Sequence, residues 1–106
     1  MTMEDRKNAA ENKYAHDAEV RFRAEARRNK LLGLWAAEKL GKTGEEAEAY
    51  AKEVIVADFH EAGDEDVFRK IRADFDAAGI DQSDHRIRRT MEELMIEAIR
   101  QVESAS

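Results

Sequence analysis

The 106 residues contain no proline and only five glycines. Proline is the residue that breaks a helix outright, because it removes a backbone donor and clashes with the preceding turn. Its absence leaves glycine as the strong punctuation mark. Gly41, Gly44, Gly63 and Gly79 fall between runs of amphipathic sequence, and only Gly33 sits inside one. Such a chain, rich in Ala, Glu, Lys and Arg, is expected to be all-α, a four-helix bundle.

The apolar residues give the helices. From about Asp17 to Leu40, Phe22, Ala26 and Leu31 lead into Leu32, Leu34, Trp35 and Ala36, with Arg27, Arg28 and Lys30 read on the opposite, solvent side. Gly33 costs about 1 kcal/mol relative to Ala inside a helix, so close approach of a neighbouring helix, or a kink, is expected there. Gly41 is the stop. A second helix opens at Thr43, with Glu46 at capping-box spacing and Tyr50, Ala51, Val54, Ile55 and Phe59 as its apolar face. The β-branched run Val54 to Val56 has no strand to pair with and stays helical. Gly63 ends this helix and Asp64 caps the next, which runs from about Glu65 to Ala78 with Val67, Phe68, Ile71 and Phe75 on one face. Gly79 stops it, and Ile80 is placed for the hydrophobic contact that follows such a stop. The fourth helix starts near Ser83 or Asp84 and carries Ile87, Met91, Leu94, Met95, Ala98 and Val102.

Residues 1–17 differ. Their only large apolar side chains are Met1, Met3 and Tyr14, too little to offset the entropy of ordering. They read as a flexible segment that becomes helical on a partner. The expected organisation is this segment at 1–17, a four-helix globular domain at 18–103, and a frayed tail at 104–106.

Composition removes several classes of function. The 24 acidic residues outnumber the 18 Lys and Arg, giving a net charge of −6, which argues against nucleic acid as a partner. Cysteine is absent, so disulfides and thiolate chemistry are excluded. The longest apolar run, Leu31 to Ala37, is far too short to insert in a membrane, and no secretory signal is recognisable at the start. The expected location is the cytoplasm or the cytoplasmic face of a membrane complex. The three histidines, His16, His60 and His85, do not group at metal-ligand spacing. Gly41-Lys42-Thr43-Gly44 contains the last letters of a phosphate loop, but neither the upstream glycine nor the preceding strand, and reads as a helix–helix turn.

The charge pattern carries more. Five cations (Arg21, Arg23, Arg27, Arg28, Lys30) stand between positions 21 and 30, and nine carboxylates fall between Thr43 and Asp66. The plain expectation is that the basic first helix and acidic second helix pair across the bundle surface. The functional reading adds that the basic stretch orients the N-terminal segment on an acidic partner. An anionic ligand such as ATP or ADP is a further reading, with Arg27, Arg28, Lys30, Arg86, Arg88 and Arg89 as its candidate contacts.

Two stretches add a resemblance. Glu11-Asn12-Lys13-Tyr14-Ala15-His16-Asp17, then FRAEARRNKLLGLWAAEKLGKTGEEAEAYAKEV from Phe22 to Val54, resemble the zeta subunit of the alpha-proteobacterial F-type ATP synthase. So do Ala57-Asp58-Phe59, Glu61-Ala62-Gly63 and His85-Arg86-Ile87-Arg88-Arg89. The resemblance covers nearly the whole chain. It implies a non-catalytic regulator that blocks ATP hydrolysis while sparing synthesis. Its partner would be the catalytic head of the F-type ATP synthase, and its place the cytoplasmic face of the inner membrane, peripherally, as a monomer when free. Carried over by position, the inhibitory contacts are Asp5, Arg6, Asn8, Glu11, Asn12, Lys13, Tyr14, His16 and Asp17. No cofactor is implied. The alternative is a small helical module that binds ATP or ADP.

Overall fold

The structure, a computed structural model, describes the backbone of residues 3–60 and 63–105, and side chains within these ranges from Asp17 onward. Four helices follow one another: α1 (Met3–Lys39), α2 (Gly44–Ala57), α3 (Glu65–Ala78) and α4 (Asp84–Ala105). No strand occurs among the described residues. α1 packs along both α2 and α4, and α3 packs on α2 and α4.

The apolar stripes close into two clusters. At one end, Leu32, Ala36, Ala37, Tyr50, Val54, Val67, Phe68, Ile71, Phe75, Ile87 and Met91 draw all four helices together, with Trp35, Leu40, Ala47, Ile80 and Leu94 packed around them. At the other, Ala24 of α1 meets Ala98 and Val102 of α4, flanked by Val20, Leu31 and Met95. The late residues of α4 thus lie against the earlier part of the described α1, so these two helices run antiparallel. Small residues at Ala24 and Ala98 let the two backbones draw near.

Gly33 answers the question its position raised. A Cβ placed there would stand 2.6 Å from Ala51 Cα and 3.0 Å from Ala51 Cβ. The glycine is the point where α1 and α2 touch backbone to backbone, and close approach rather than a kink is its reason. The stops at Gly41 and Gly79 are Schellman turns. Lys42 N–H donates to Ala37 C=O at 2.9 Å and Gly41 N–H to Glu38 C=O at 3.1 Å. At the end of α3, Ile80 N–H donates to Phe75 C=O at 2.8 Å, and Ile80 packs on the core that contains Phe75. Both glycines take a positive φ, 78° and 71°, which a side chain would resist.

Several local expectations are corrected. α2 ends at Ala57, not at Gly63; the chain turns through 3₁₀-type bonds from Phe59 N–H to Val56 C=O and His60 N–H to Ala57 C=O. Phe59 therefore leaves the apolar face and is 73% exposed. Phe22 is also outside the core, at 64% exposed. Thr43 occupies the N-cap of α2 with extended backbone angles, but its side chain makes no capping bond, so no capping box forms. Asp64 is the N-cap of α3 only through its backbone: its carbonyl accepts from Phe68 N–H at 3.1 Å while its carboxylate is engaged elsewhere. α4 continues to Ala105, taking in Ser104 and Ala105 of the expected tail. The helical backbone of α1 runs from Met3 to Lys39, which does not bear on the expectation that residues 1–17 are a segment that orders on a partner.

Candidate functional site

The largest surprise in the polar chemistry is on α1. Arg28, read from the sequence as solvent-facing, is 1% exposed, and its neighbour Asn29 is 2% exposed. Arg28 stands four residues from Ala24 and four from Leu32, so it lies on the buried stripe between the two apolar clusters. Its guanidinium donates to Asn29 Oδ1 at 2.8 Å and to Asp64 Oδ1 at 2.8 Å. Asn29 in turn donates through Nδ2 to Asp58 Oδ2 at 2.9 Å. Two adjacent residues of α1 thereby hold both ends of the α2–α3 connection. A buried guanidinium is tolerated when its donors find acceptors, and this network supplies two, one of them a carboxylate. The hydrogen bond from Arg28 holds the Asp64 carboxyl below the usual carboxylate range, against the opposing effect of partial burial.

Arg88 of α4 lies beside this network. It grips Glu65 with two bonds, 3.0 and 3.2 Å, and its guanidinium stands 3.9 Å from the centre of the Phe68 ring. Those hydrogen bonds lower the Glu65 carboxyl and raise Arg88 further. Arg28, Asp64, Arg88, Met91, Met95 and Ile96 line one shallow groove. On the opposite side, Tyr50 O–H donates to Asp74 Oδ2 at 2.7 Å and Lys70 Nζ to the same oxygen at 3.1 Å. Burial, then the bond to Asp74, pushes the Tyr50 hydroxyl upward, so it remains a donor.

The six basic residues considered for an anion are not gathered into one pocket. Arg28 and Arg88 share the groove, but their donors already serve Asp64 and Glu65. Arg89 pairs with Glu93 at 3.0 Å. Arg86 is exposed at the start of α4, where its backbone N–H is capped by Ser83 Oγ at 3.1 Å. Arg27 and Lys30 are exposed on the outer side of α1. This arrangement does not favour a nucleotide site.

The expected pairing of a basic α1 with an acidic α2 is also corrected. Among the described residues Arg21 and Arg23 pair within α1, with Glu25 and Glu19. Ion pairs that join elements include Arg28–Asp64, Arg88–Glu65 and Arg72–Asp84. The acidic residues that matter are those around the start of α3 rather than those along α2.

Of the expected inhibitory contacts, Asp17 is exposed. Asp5, Arg6, Asn8, Glu11, Asn12, Lys13, Tyr14 and His16 lie outside the residues whose side chains are described. Among the described residues no three His, Cys, Asp or Glu side chains are grouped to hold a metal ion, and no helix is long and apolar enough to cross a membrane.

Comparison with known proteins brings these features together. No curated protein matches the chain. One solved structure, titled "Solution NMR structure of the protein", is 52% identical, with a TM-score of 0.71, over 80% of this chain and 96% of that one. The description of the ATPase inhibitor subunit zeta family matches residues 1–101. A match of that extent takes in the first residues of α1, the Arg28–Asp64 network and nearly all of α4, and by it the chain belongs to the family of ATPase inhibitor subunits zeta.

Proposed function

We propose that this chain inhibits ATP hydrolysis by the rotary F-type ATP synthase by inserting residues 1–17 as a helix into a catalytic interface of the head, with the bundle outside. The supporting observation is the extent of the family match. It begins at residue 1 and so includes the segment whose sequence offers little to a core of its own. The buried side chains of α1 begin, among the described residues, at Ala24.

The mechanism needs no catalytic residue. Clefts of a rotary head open and close with each step, and a helix lodged in one cleft binds best in one rotational state. Ordering the segment costs roughly 2–5 kcal/mol of the interaction energy. A second contact made by the bundle recovers this through effective concentration. On this reading the protein is a monomeric regulator without chemistry of its own, held at the cytoplasmic face of the membrane through the synthase. Its net charge of −6 opposes self-association.

The test is addition of the purified protein to its own ATPase head during turnover. Hydrolysis is expected to fall with dose. Deleting residues 1–17 is expected to abolish the effect while leaving the melting transition nearly unchanged, and Tyr14→Ala or Ala10→Pro to weaken it. Full inhibition by the truncated chain would show that the bundle, and not the segment, is the inhibitor.

A further inference from the structure

The outer face of α1 sets an exposed aromatic ring among cations. At 100° per residue, Phe22, Arg23, Ala26, Arg27 and Lys30 share an arc of about 140°, opposite the buried stripe of Ala24, Arg28 and Leu32. Phe22 is 64% exposed, although burying such a ring is favourable. A groove of about 500 Å³ runs beside it, walled by Ile55 of α2 and ended by Val102 and Ala105 of α4. Some exposed guanidiniums on this acid-rich chain find carboxylates, as those of Arg89 and Arg100 do. Arg27 and Lys30 do not: both are exposed and neither has an ion-pair partner among the described residues. Arg23 is matched only by Glu19, in a pair open to water. The face therefore combines an unburied aromatic ring, an apolar groove and two unmatched cations.

We propose that this face, from Phe22 to Lys30, is the surface by which the bundle docks on the catalytic head, against a patch that sets carboxylates beside an apolar hollow. The inference rests on the inhibitor reading above and supplies the second contact it calls for. The charge is complementary to an acidic protein surface, and the ring has a place only when something apolar covers it. Continuity points the same way. Phe22 follows Asp17 by five residues on one unbroken helix, so docking through this face brings the start of α1 to the same partner.

The test uses the full chain carrying Phe22→Ala, Arg27→Glu and Lys30→Glu. All three positions are exposed, so circular dichroism and melting should match the parent. Binding to the immobilised head from the same organism is measured beside inhibition of hydrolysis. The triple variant is expected to bind at least tenfold more weakly and to lose less affinity as salt is raised. Lys39→Glu, an exposed cation on the last turn of α1, is expected to bind as the parent does. Unchanged affinity in the triple variant overturns the proposal, as does a parent protein that sediments with phosphatidylserine vesicles and not with the head. The two readings separate cleanly. A parent that binds through this face without slowing hydrolysis keeps the docking surface and removes the inhibitor reading. A triple variant that binds and inhibits at full strength does the reverse.

Discussion

Replacing Gly33 with alanine sets two effects of known size against each other. In an isolated helix the change is favourable by about 1 kcal/mol, because glycine loses more backbone freedom on folding. Here the added Cβ would meet Ala51 Cα at 2.6 Å, roughly an ångström inside ordinary carbon–carbon contact. The obstacle is the backbone of α2 and not the tip of a flexible side chain, so no rotamer change relieves it. α2 must back away, and its neighbours Tyr50 and Val54, both buried against α1, lose contact as it does. Overpacking of this kind costs typically 1–3 kcal/mol, and a backbone obstacle belongs at the upper end. The net expectation is a loss of about 1–2 kcal/mol, a fall in melting temperature of roughly 5–15 °C for a domain of this size. Thermal and urea unfolding followed by far-ultraviolet circular dichroism measure it. Ala51→Gly added to Gly33→Ala should recover little, since it removes the contact at 3.0 Å and keeps the closer one to Cα. A Gly33→Ala protein as stable as the parent, or more so, would refute the reasoning.

Two further outcomes follow from the packing and the polar network. Trp35 is half-buried, its ring tilted at 58° and 5.7 Å from that of Phe75, so Trp35→Ala is expected to cost about 3 kcal/mol in denaturant unfolding, and a value under about 1 kcal/mol would place the ring outside the core. Asp64→Ala leaves the buried Arg28 guanidinium with Asn29 alone and is expected to cost about 2 kcal/mol, with Arg28→Met costing less because it removes the charge together with the need to match it. Because the Asp64 carboxyl is held below its ordinary value, the pair contributes fully at pH values above about 4 and its contribution is lost as pH falls through the depressed value. The stability gap between the parent and Asp64→Asn should therefore close on acidification, and a gap constant down to pH 2 would contradict the assignment.

Much of the fold could be read from residue spacing because each helix carries its own stop and its own stripe. Gly41, Gly79 and Ile80 occupy the positions that Schellman turns require, and Gly33 signalled a backbone contact before its partner was known. What spacing missed was polarity inside the core. Arg28 reads as a surface residue by type, yet its separation of four from both Ala24 and Leu32 puts it on the buried stripe, and that register was the available signal. The early end of α2 was hidden because Phe59 continues the apolar period past Ala57, where the network on Asp58 and Asp64 turns the chain instead. For the start of α1 the sequence offers a family resemblance in residues such as Tyr14 and His16 and a shortage of core-forming side chains. Of the proposed docking face on α1, the run of cations from Arg21 to Lys30 was legible as a contact for an acidic partner, while the exposed Phe22 was hidden by its assignment to the apolar stripe.

The fastening of Asp58 and Asp64 to neighbouring residues of α1 also bears on how the domain tolerates changes in length. The connection between α2 and α3 is anchored at each end by side chains of a third helix, so the positions of α2 and α3 do not depend on how much chain joins them. Extending a flexible loop is cheap in entropy, about 0.6 kcal/mol for each doubling. Foreign sequence such as an epitope or a fluorescent label, inserted after His60 and so between the two anchored aspartates, is accordingly expected to leave the four helices undisturbed.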